Sequence, residues 1–430
     1  MWIDRLRLTN FRAFADFELE LDRQLTVLAG VNGAGKSSVL DGLAVAMGAW
    51  LDVFDKASSR PIRLPEVRVV GGGGAHPNFE RQYPVCVEAS GESGAAGLWW
   101  ARAKNSDHGT TTRADAAQII DLAKAHQRDV KAGAPIDLPL LASYGTGRLW
   151  SPVSATKLKA STRTSRAEGY KGALAPTASH TPLTQWMRWR EYDRLQRAEQ
   201  ARSSGGLKAD PWLAAIEQAV LDCVDGAQRF YFSVANDELV FAMADGATLP
   251  FAALSDGYRN LIGIVADIAW RATRLNTHLE AQAPRQTEGI VLIDEIELHL
   301  HPAWQHQVLR RLMHAFPRIQ FVVTTHAPLV LASVPAKHLR FLRQNEQVAQ
   351  VSRAEGLSAN AVLRELMGVP ERDPGTAREL ARLGQLLEAE EIAPARPLFE
   401  QLRAKLGDLD PELQGLEWEL RALEVAGAPD

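Results

Sequence analysis

The sequence predicts an α/β protein with a mainly parallel sheet, an antiparallel strand subdomain, a helical insertion and a C-terminal helical region. Three apolar runs predict the parallel sheet, at residues 25–29, 289–293 and 319–323. The first leads into a glycine-rich loop, the second into two carboxylates, and the third into threonines and a histidine. Continuous apolar runs are typical of buried parallel strands, whose carboxyl ends meet at one edge of the sheet. We therefore expect these three run ends to share one ligand site.

The other elements follow from local patterns in chain order. Alternating or β-rich patterns predict strands at residues 2–8, 17–21, 83–89, 98–102, 138–144, 230–234 and 239–243. Helical patterns are present at residues 113–132, 183–202, 211–224, 261–270 and 303–315, and again at 359–367, 376–391, 394–406 and 411–424. Residues 54–84 lack periodicity and include four consecutive glycines, which predicts a loop or lid.

Composition limits the class of protein. The chain has 430 residues, of which 46% are hydrophobic, enough for one large core or two to three smaller ones. A net charge of -4 argues against a wholly basic nucleic-acid-binding protein but leaves room for local basic patches. Two cysteines are too few for a disulfide framework. The charged N-terminal segment and the lack of a membrane-length apolar run predict a cytoplasmic protein with no membrane contact.

The glycine-rich segment at residues 30–38 matches the pattern G-x-x-x-x-G-K-[ST] between a strand and a helix. Glycines let backbone N–H groups surround phosphate oxygens, and the dipole of the following helix adds positive potential. We expect Lys36 to reach the β- and γ-phosphates and the Ser37 hydroxyl to bind Mg²⁺. The predicted nucleotide-binding residues of this loop are Asn32, Gly33, Ala34, Gly35, Lys36, Ser37 and Ser38. A glycine turn without a ligand is the alternative.

Two further strand ends carry candidate catalytic residues. Asp294 ends a buried apolar run, where a carboxylate is costly without a cation, so we predict that it binds Mg²⁺. Glu295 is then placed to act on a water near the γ-phosphate. His326 follows the third run and could sense the same phosphate. A solvated strand end is the alternative for the two acids.

Two positions outside the strand ends have open interpretations. Arg12, between the first two predicted strands, either contacts a nucleotide or is a solvated surface arginine. Ser255 precedes an apolar helix and either caps it or, together with the Gly257 amide and the helix N-terminus, binds an anion.

Shifts in composition divide the chain. We predict an N-terminal lobe (1–150), a basic helical insertion (151–228), a C-terminal lobe (229–352) and a helical partner-binding region (353–430). The insertion carries Trp186, Trp189 and Tyr192 among several arginines, a pattern that suits DNA or RNA but also a solvated helix with aromatics packed inward. The last region suits a protein partner, or equally a packing cap.

Taken in order, these motifs resemble the ABC-type ATPase heads of the SMC, RecF and OLD group. The matching positions are residues 10–12, 30–38, Gln82, 254–259, Asp294, Glu295 and His326. The resemblance implies ATP and Mg²⁺ as cofactors, with Glu295, His326 and Lys36 in catalysis and Arg12 at the nucleotide. It also implies that Gln82 is a Q-loop residue at the metal. Residues 254–259 would be the signature motif, with Ser255 and Gly257 contacting the ATP of a second subunit in a head-to-head dimer.

Within this group the chain is similar to the short ATPases of bacterial anti-phage systems, of the Septu type and its retron-associated relatives. The similarity lies at residues 144–148, 254–259, 296–302 and 357–360. It implies an ATP-hydrolysing subunit that dimerises, or forms a higher oligomer, and controls a separate effector such as an HNH-type nuclease, with no nuclease domain in this chain. Two other interpretations stay open: a RecF-like DNA-repair clamp, and an ATP-sensing scaffold with negligible turnover.

Overall fold

The computed structural model describes most of the chain, and its contacts divide the protein into two compact units, Met1–Ser358 and Ala359–Asp430. The described residues are 1–55, 57, 60–71, 78–94, 96–147, 165–175, 181–200, 209–343, 346–347, 353–370 and 372–426. The predicted nucleic-acid contact partly rests on the basic run at 151–171, and residues 151–164 of that run lie outside the described residues.

The first unit contains both strands and helices, and helices make up the second. The strands are β1 (Trp2–Phe11), β2 (Phe14–Glu20), β3 (Leu25–Ala29), β4 (Val69–Gly71), β5 (Phe79–Arg81), β6 (Val85–Ser93), β7 (Ala96–Lys104), β8 (Leu140–Tyr144), β9 (Ala227–Ser233), β10 (Glu238–Met243), β11 (Thr248–Pro250), β12 (Gly289–Ile293), β13 (Ile319–Thr324), β14 (Leu339–Arg343) and β15 (Glu346–Gln347). The helices are α1 (Lys36–Leu51), α2 (Ala117–Lys131), α3 (Thr181–Gln200), α4 (Pro211–Cys223), α5 (Asp256–Leu275), α6 (Ala283–Gln286), α7 (Pro302–Gln305), α8 (Val308–Ala315), α9 (Pro328–Leu331), α10 (Ala359–Ala361), α11 (Pro374–Glu388), α12 (Ile392–Leu406) and α13 (Pro411–Ala426). Among the described residues, no helix combines the length and apolarity needed to cross a lipid bilayer.

The central sheet has six strands in the order β15-β14-β3-β13-β12-β8. The five from β14 to β8 run parallel, and β15 is an antiparallel edge strand. Every residue of β3, β12 and β13 is buried, as the apolar runs predicted. Because neighbouring strands are parallel, the chain leaves β3, β13, β12 and β8 at the same edge.

A second sheet is antiparallel, in the order β2-β1-β6-β7. Helix α1 packs against strands of both this sheet and the central one, so almost all of its surface is buried. Its sequence is accordingly apolar around most of its circumference. Two tryptophans anchor this layer: Trp100 Nε1 donates to the Ala46 carbonyl at 3.0 Å, and Trp50 Nε1 donates to the Tyr170 hydroxyl at 3.0 Å. The helix after the glycine-rich loop is therefore fixed on two sides.

Helix α5 covers β8 and packs on α4, with a buried polar network at its centre. The Tyr144 hydroxyl donates to Asp267 Oδ2 at 2.7 Å, and Arg271 Nε donates to the same oxygen at 2.7 Å. Burial raises the pKa of the Tyr144 hydroxyl well above its ordinary value, and the nearby Asp267 carboxylate adds to the effect. The Tyr144 carbonyl in turn accepts from the Asp294 N–H at 2.8 Å. This network thus joins α5 to the strand end that carries the acids.

The second unit is a bundle of α11, α12 and α13, preceded by α10 and a π-helix at Val362–Leu366. Its core consists of Leu380, Leu383, Leu387, Ala395, Phe399, Leu402, Leu413 and Leu420. These residues recur at helical spacing, which is why the three helices were predictable from the sequence.

Candidate nucleotide-binding site

The site lies at the carboxyl edge of the central sheet, where four neighbouring parallel strands end. The glycine-rich loop follows β3, Thr325 and His326 follow β13, Asp294 and Glu295 follow β12, and Gly145 follows β8. Open parallel α/β sheets bind their ligands at this edge. The sequence elements predicted to act together are therefore brought together by the strand order.

The glycine-rich loop is built to present backbone N–H groups. Gly33 and Gly35 have left-handed φ angles of 81° and 94°, which a residue with a Cβ rarely adopts. Gly35 is the N-cap of α1, no side chain caps the helix there, and its first turn contains no acidic residue. The positive end of the α1 dipole is thus not neutralised by the helix's own side chains, which favours binding of an anion.

Lys36 is the buried cation of the site, at 6% exposure. Its ammonium donates to the carbonyls of Gly30 at 2.9 Å and Val31 at 3.1 Å, so the side chain lies along its own loop. In the described part of the chain it forms no ion pair with a carboxylate. Burial lowers the pKa of the ammonium, and the charges of Asp294, Glu295 and Glu297 oppose that shift. A positive charge is therefore held beside the loop without being neutralised by direct contact.

Ser37 and Asp294 are joined although they are 257 residues apart: the serine hydroxyl donates to Asp294 Oδ1 at 3.1 Å. Thr324 Oγ1 donates to the same oxygen at 2.6 Å. A hydroxyl and a carboxylate are hard oxygen ligands of the kind that Mg²⁺ prefers. Two of the three predicted metal ligands are thus adjacent, and this pair of residues fits a magnesium ion.

Glu295 has a left-handed backbone, with φ of 48°. Such a conformation in a residue other than glycine costs about 1–3 kcal/mol and persists only where surrounding contacts impose it. Thr324 supplies those contacts, because its hydroxyl accepts from the Glu295 N–H at 2.7 Å and its carbonyl accepts from the Ile296 N–H at 3.0 Å. Strained backbone of this kind is concentrated at functional sites.

His326 is held by Glu297, a residue that the motifs did not single out for a role. The backbone N–H of His326 donates to Glu297 Oε1 at 2.5 Å. Burial lowers the pKa of the His326 imidazole, the nearby Lys36 lowers it further, and Glu297 is the strongest of the opposing charges. The imidazole is therefore favoured in its neutral form. Only the position of Glu297, two residues after Glu295, could have indicated it from the sequence.

The start of α5 packs against the segment after Glu295 in the same chain. A Cβ on Gly257 would lie 2.4 Å from the His299 carbonyl oxygen, so only glycine fits there. Asn260, which is buried, donates from Nδ2 to the Leu298 carbonyl at 2.8 Å. Ser255 occupies the N-cap position with extended backbone, but its hydroxyl makes no capping hydrogen bond and the residue is exposed. The simple capping interpretation of Ser255 is therefore not what the structure shows.

Two predicted site residues have other partners. Arg12 is ion-paired with Asp41 of α1 at 2.5 Å and is 4.0 Å from Glu66. Gln82 donates from Nε2 to the Glu80 carbonyl at 3.1 Å. Among the described residues, no hydrogen bond joins either side chain to Ser37 or Asp294, so their predicted roles at nucleotide and metal stay predictions.

A phosphate-binding loop on a parallel sheet, with a hydroxyl against an acid from another strand of that sheet, defines the class of P-loop nucleotide-binding proteins. Comparison with known families agrees. Residues 5–201 match a family described as an AAA domain, and residues 156–332 match one described as an AAA domain, putative AbiEii toxin, Type IV TA system.

Named relatives make the assignment more particular. The chain is 32% identical over 212 residues to the Retron Ec83 probable ATPase of Escherichia coli, covering 48% of this chain and 39% of that protein. It is 39% identical over 132 residues to the Septu protein PtuA of Bacillus mycoides, covering 31% of this chain and 16% of that protein. These matches confirm the resemblance predicted from the motifs: the matched segments are similar to AAA-type ATPase domains and to the retron and Septu ATPases.

The extent of these similarities is limited. The matched segments span less than half the length of these relatives. Among solved structures, the SMC head domain from Thermotoga maritima is similar, with a TM-score of 0.44 and 14% identity, covering 82% of this chain and 100% of that one.

Proposed function

We propose that the chain binds and hydrolyses ATP as a subunit of an anti-phage defence system. The observation that carries this proposal is the hydrogen bond from Ser37 to Asp294, which joins the phosphate loop to the acid at the end of β12, two strands away in the same sheet. The names of the retron and Septu relatives support the defence role. In P-loop NTPases, Mg²⁺ is held by the hydroxyl of the phosphate loop together with such an acid.

Each residue of the site has a separate proposed role in hydrolysis. The loop amides and Lys36 hold and neutralise the phosphates of ATP. Glu295 orients an attacking water and accepts its proton, and the neutral His326 donates a hydrogen bond to the γ-phosphate. Ser37 and Asp294 would hold Mg²⁺, which when bound supplies further neutralisation of the phosphate oxygens. Catalysis is then positioning and electrostatics, with no covalent intermediate on the protein.

We propose that the working site forms between two copies of the chain. Ser255 is exposed, and its hydroxyl makes no capping hydrogen bond to α5. Among the described residues, no hydrogen bond joins Ser255 to the glycine-rich loop of its own chain. A second copy could bring Ser255 and the N-terminus of α5 to the γ-phosphate. ATP would then hold two chains together, and hydrolysis would release them.

The partner is proposed to be a separate effector protein, with a nuclease of the HNH type as the first candidate. The helical second unit, Ala359–Asp430, is the proposed docking region, because it is a compact unit with its own core. Conformational change on ATP binding would control this effector.

Steady-state phosphate release by the full chain tests the enzymatic proposal. We expect release that requires Mg²⁺ and stops with EDTA, measured with and without DNA. Phosphate release indistinguishable from a protein-free blank under all of these conditions would overturn it.

Purification of the full chain from its native host tests the proposed partner. A nuclease that copurifies, and is lost when residues 359–430 are deleted, supports the proposal. Retention of the nuclease after the deletion would place its docking surface elsewhere on the chain.

A further inference from the structure

Thr324 is the last residue of β13 and is fully buried. Its side chain and carbonyl contact three consecutive residues of the segment after β12: Asp294, Glu295 and Ile296. β13 is paired with β12 in the sheet, so these contacts run directly across from one strand end to the next. No motif used above assigns this residue a role.

A hydroxyl is the group that this position requires. It has one donor and two acceptor sites, so it can donate to the Asp294 carboxylate and accept from the Glu295 N–H at the same time. The preceding residues of β13, Phe321 to Val323, are apolar and buried, and a polar side chain beside them is costly unless it is hydrogen-bonded. Replacing the hydroxyl with a methyl group would remove the hydrogen bonds that Thr324 Oγ1 makes to the Asp294 carboxylate and to the Glu295 N–H.

We infer that Thr324 is a positioning residue for the proposed hydrolysis. It orients the Asp294 carboxylate, which would hold the metal ion, and it holds Glu295 in its left-handed backbone conformation. Because Ser37 donates to the same Asp294 oxygen, Thr324 also fixes the acid against the glycine-rich loop. The inference rests on the proposed function, but its first consequence is for metal affinity and not for turnover.

The test compares Thr324→Val, which keeps the shape and loses the hydroxyl, with Thr324→Ser, which keeps the hydroxyl. Thr26→Val is the matched control: Thr26 is equally buried in β3 of the same sheet, and its hydroxyl accepts from the Asp22 N–H at 2.9 Å. Mn²⁺ affinity in the presence of ADP is measured on each full chain by electron paramagnetic resonance, together with kcat for ATP.

We expect Thr324→Val to weaken Mn²⁺ binding by about 10- to 100-fold, the usual effect of losing a hydrogen bond to a metal ligand. Thr324→Ser should restore it to within about threefold, and Thr26→Val should match the wild type. Wild-type Mn²⁺ affinity in Thr324→Val would overturn the inference, as would an equal loss in Thr26→Val. If circular dichroism shows that Thr324→Val is unfolded, Thr324→Cys, a weaker hydrogen-bonding group of smaller size, is compared with Thr324→Ser in the same way. A wild-type chain that binds Mn²⁺ and ADP but releases no phosphate would contradict the proposed function and leave this test intact.

Discussion

The carboxyl edge of the central sheet and helix α3 both concentrate charged residues, yet they use them in opposite ways. At the sheet edge, the Lys36 ammonium donates to two backbone carbonyls. The nearby carboxylates oppose the lowering of its pKa by burial but do not pair with it directly. On α3, every arginine is ion-paired with a carboxylate. The pairs are Arg188 with Asp237, Arg190 with Asp210, Arg194 with Glu191, and Arg197 with Asp193. No described carboxylate pairs directly with the cation of the sheet edge, whereas the arginine charges of α3 are all offset by carboxylates of the same chain.

The difference shows what composition leaves out. The arginines and aromatics of residues 183–202 suggested a nucleic-acid surface, but arginines whose charge is offset within the protein attract phosphates less. Trp189 and Tyr192 are 40% and 43% exposed, so stacking surface is present without free positive charge on α3 itself. Contact with DNA or RNA stays a prediction, and it now depends more on residues 151–164, outside the described part.

Substitution of Lys36 should have the largest effect at the sheet edge. We expect Lys36→Ala to abolish ATP binding, because it removes the buried cation of the phosphate loop, and we expect Lys124→Ala, at an exposed lysine paired with Asp121, to have no effect. Isothermal titration with a non-hydrolysable ATP analogue measures both. Wild-type affinity in Lys36→Ala would show that the Lys36 ammonium does not contribute to nucleotide binding.

Glu295→Gln should separate binding from chemistry. The amide keeps the size of the side chain but cannot accept a proton, so we expect turnover to fall by about 10²–10⁴-fold while ATP stays bound. The ATP-bound dimer should accumulate, which analytical ultracentrifugation measures. If Glu295→Gln hydrolyses ATP at the wild-type rate, the general base is another residue, and Glu297 is the next to replace.

The lowered pKa of His326 predicts a smaller effect on stability. The unfolded chain binds a proton at this histidine near pH 6.5, whereas the native chain binds it only at a lower pH. Between these two values the unfolded state holds more protons, so the free energy of unfolding falls as pH falls through that window. His326→Gln should lose this part of the pH dependence, measured by urea titration at several pH values from 7.5 downward. An unchanged pH dependence would contradict the burial of a neutral imidazole.

The smallest effect is expected on α3. Arg197, with 67% of its side chain exposed, pairs with Asp193 at 2.8 Å, and Arg197→Gln should change the free energy of unfolding by no more than about 0.5 kcal/mol. Binding of DNA or RNA, where it occurs, should be unchanged, as a gel-shift titration would show. A clear loss of binding would mean that α3 does present its charge to phosphates, and the contrast between the two regions would fail.

Much of the fold was predictable because it depends on local patterns. The buried strands β3, β12 and β13, the antiparallel pair β6 and β7, and the helices of the second unit all lie where periodicity placed them. Strand β14 was not predicted, because a five-residue segment with two arginines gives little strand signal. It becomes a strand by pairing with β3. The approach is so close that a Cβ added to Gly30, which follows β3, would lie 2.3 Å from the Leu342 carbonyl oxygen.

The sequence by itself determined the chemistry available: a glycine-rich loop with Lys36 and Ser37, two acids at one strand end, and a histidine at another. These are short motifs whose meaning depends on near neighbours in the chain. Only the tertiary structure decided which of them meet. The strand order brings Asp294 into hydrogen-bonding contact with Ser37, and it brings Thr324 into contact with both Asp294 and Glu295. Arg12 and Gln82 have other partners. Such pairings join residues up to hundreds of positions apart, and no local pattern encodes them.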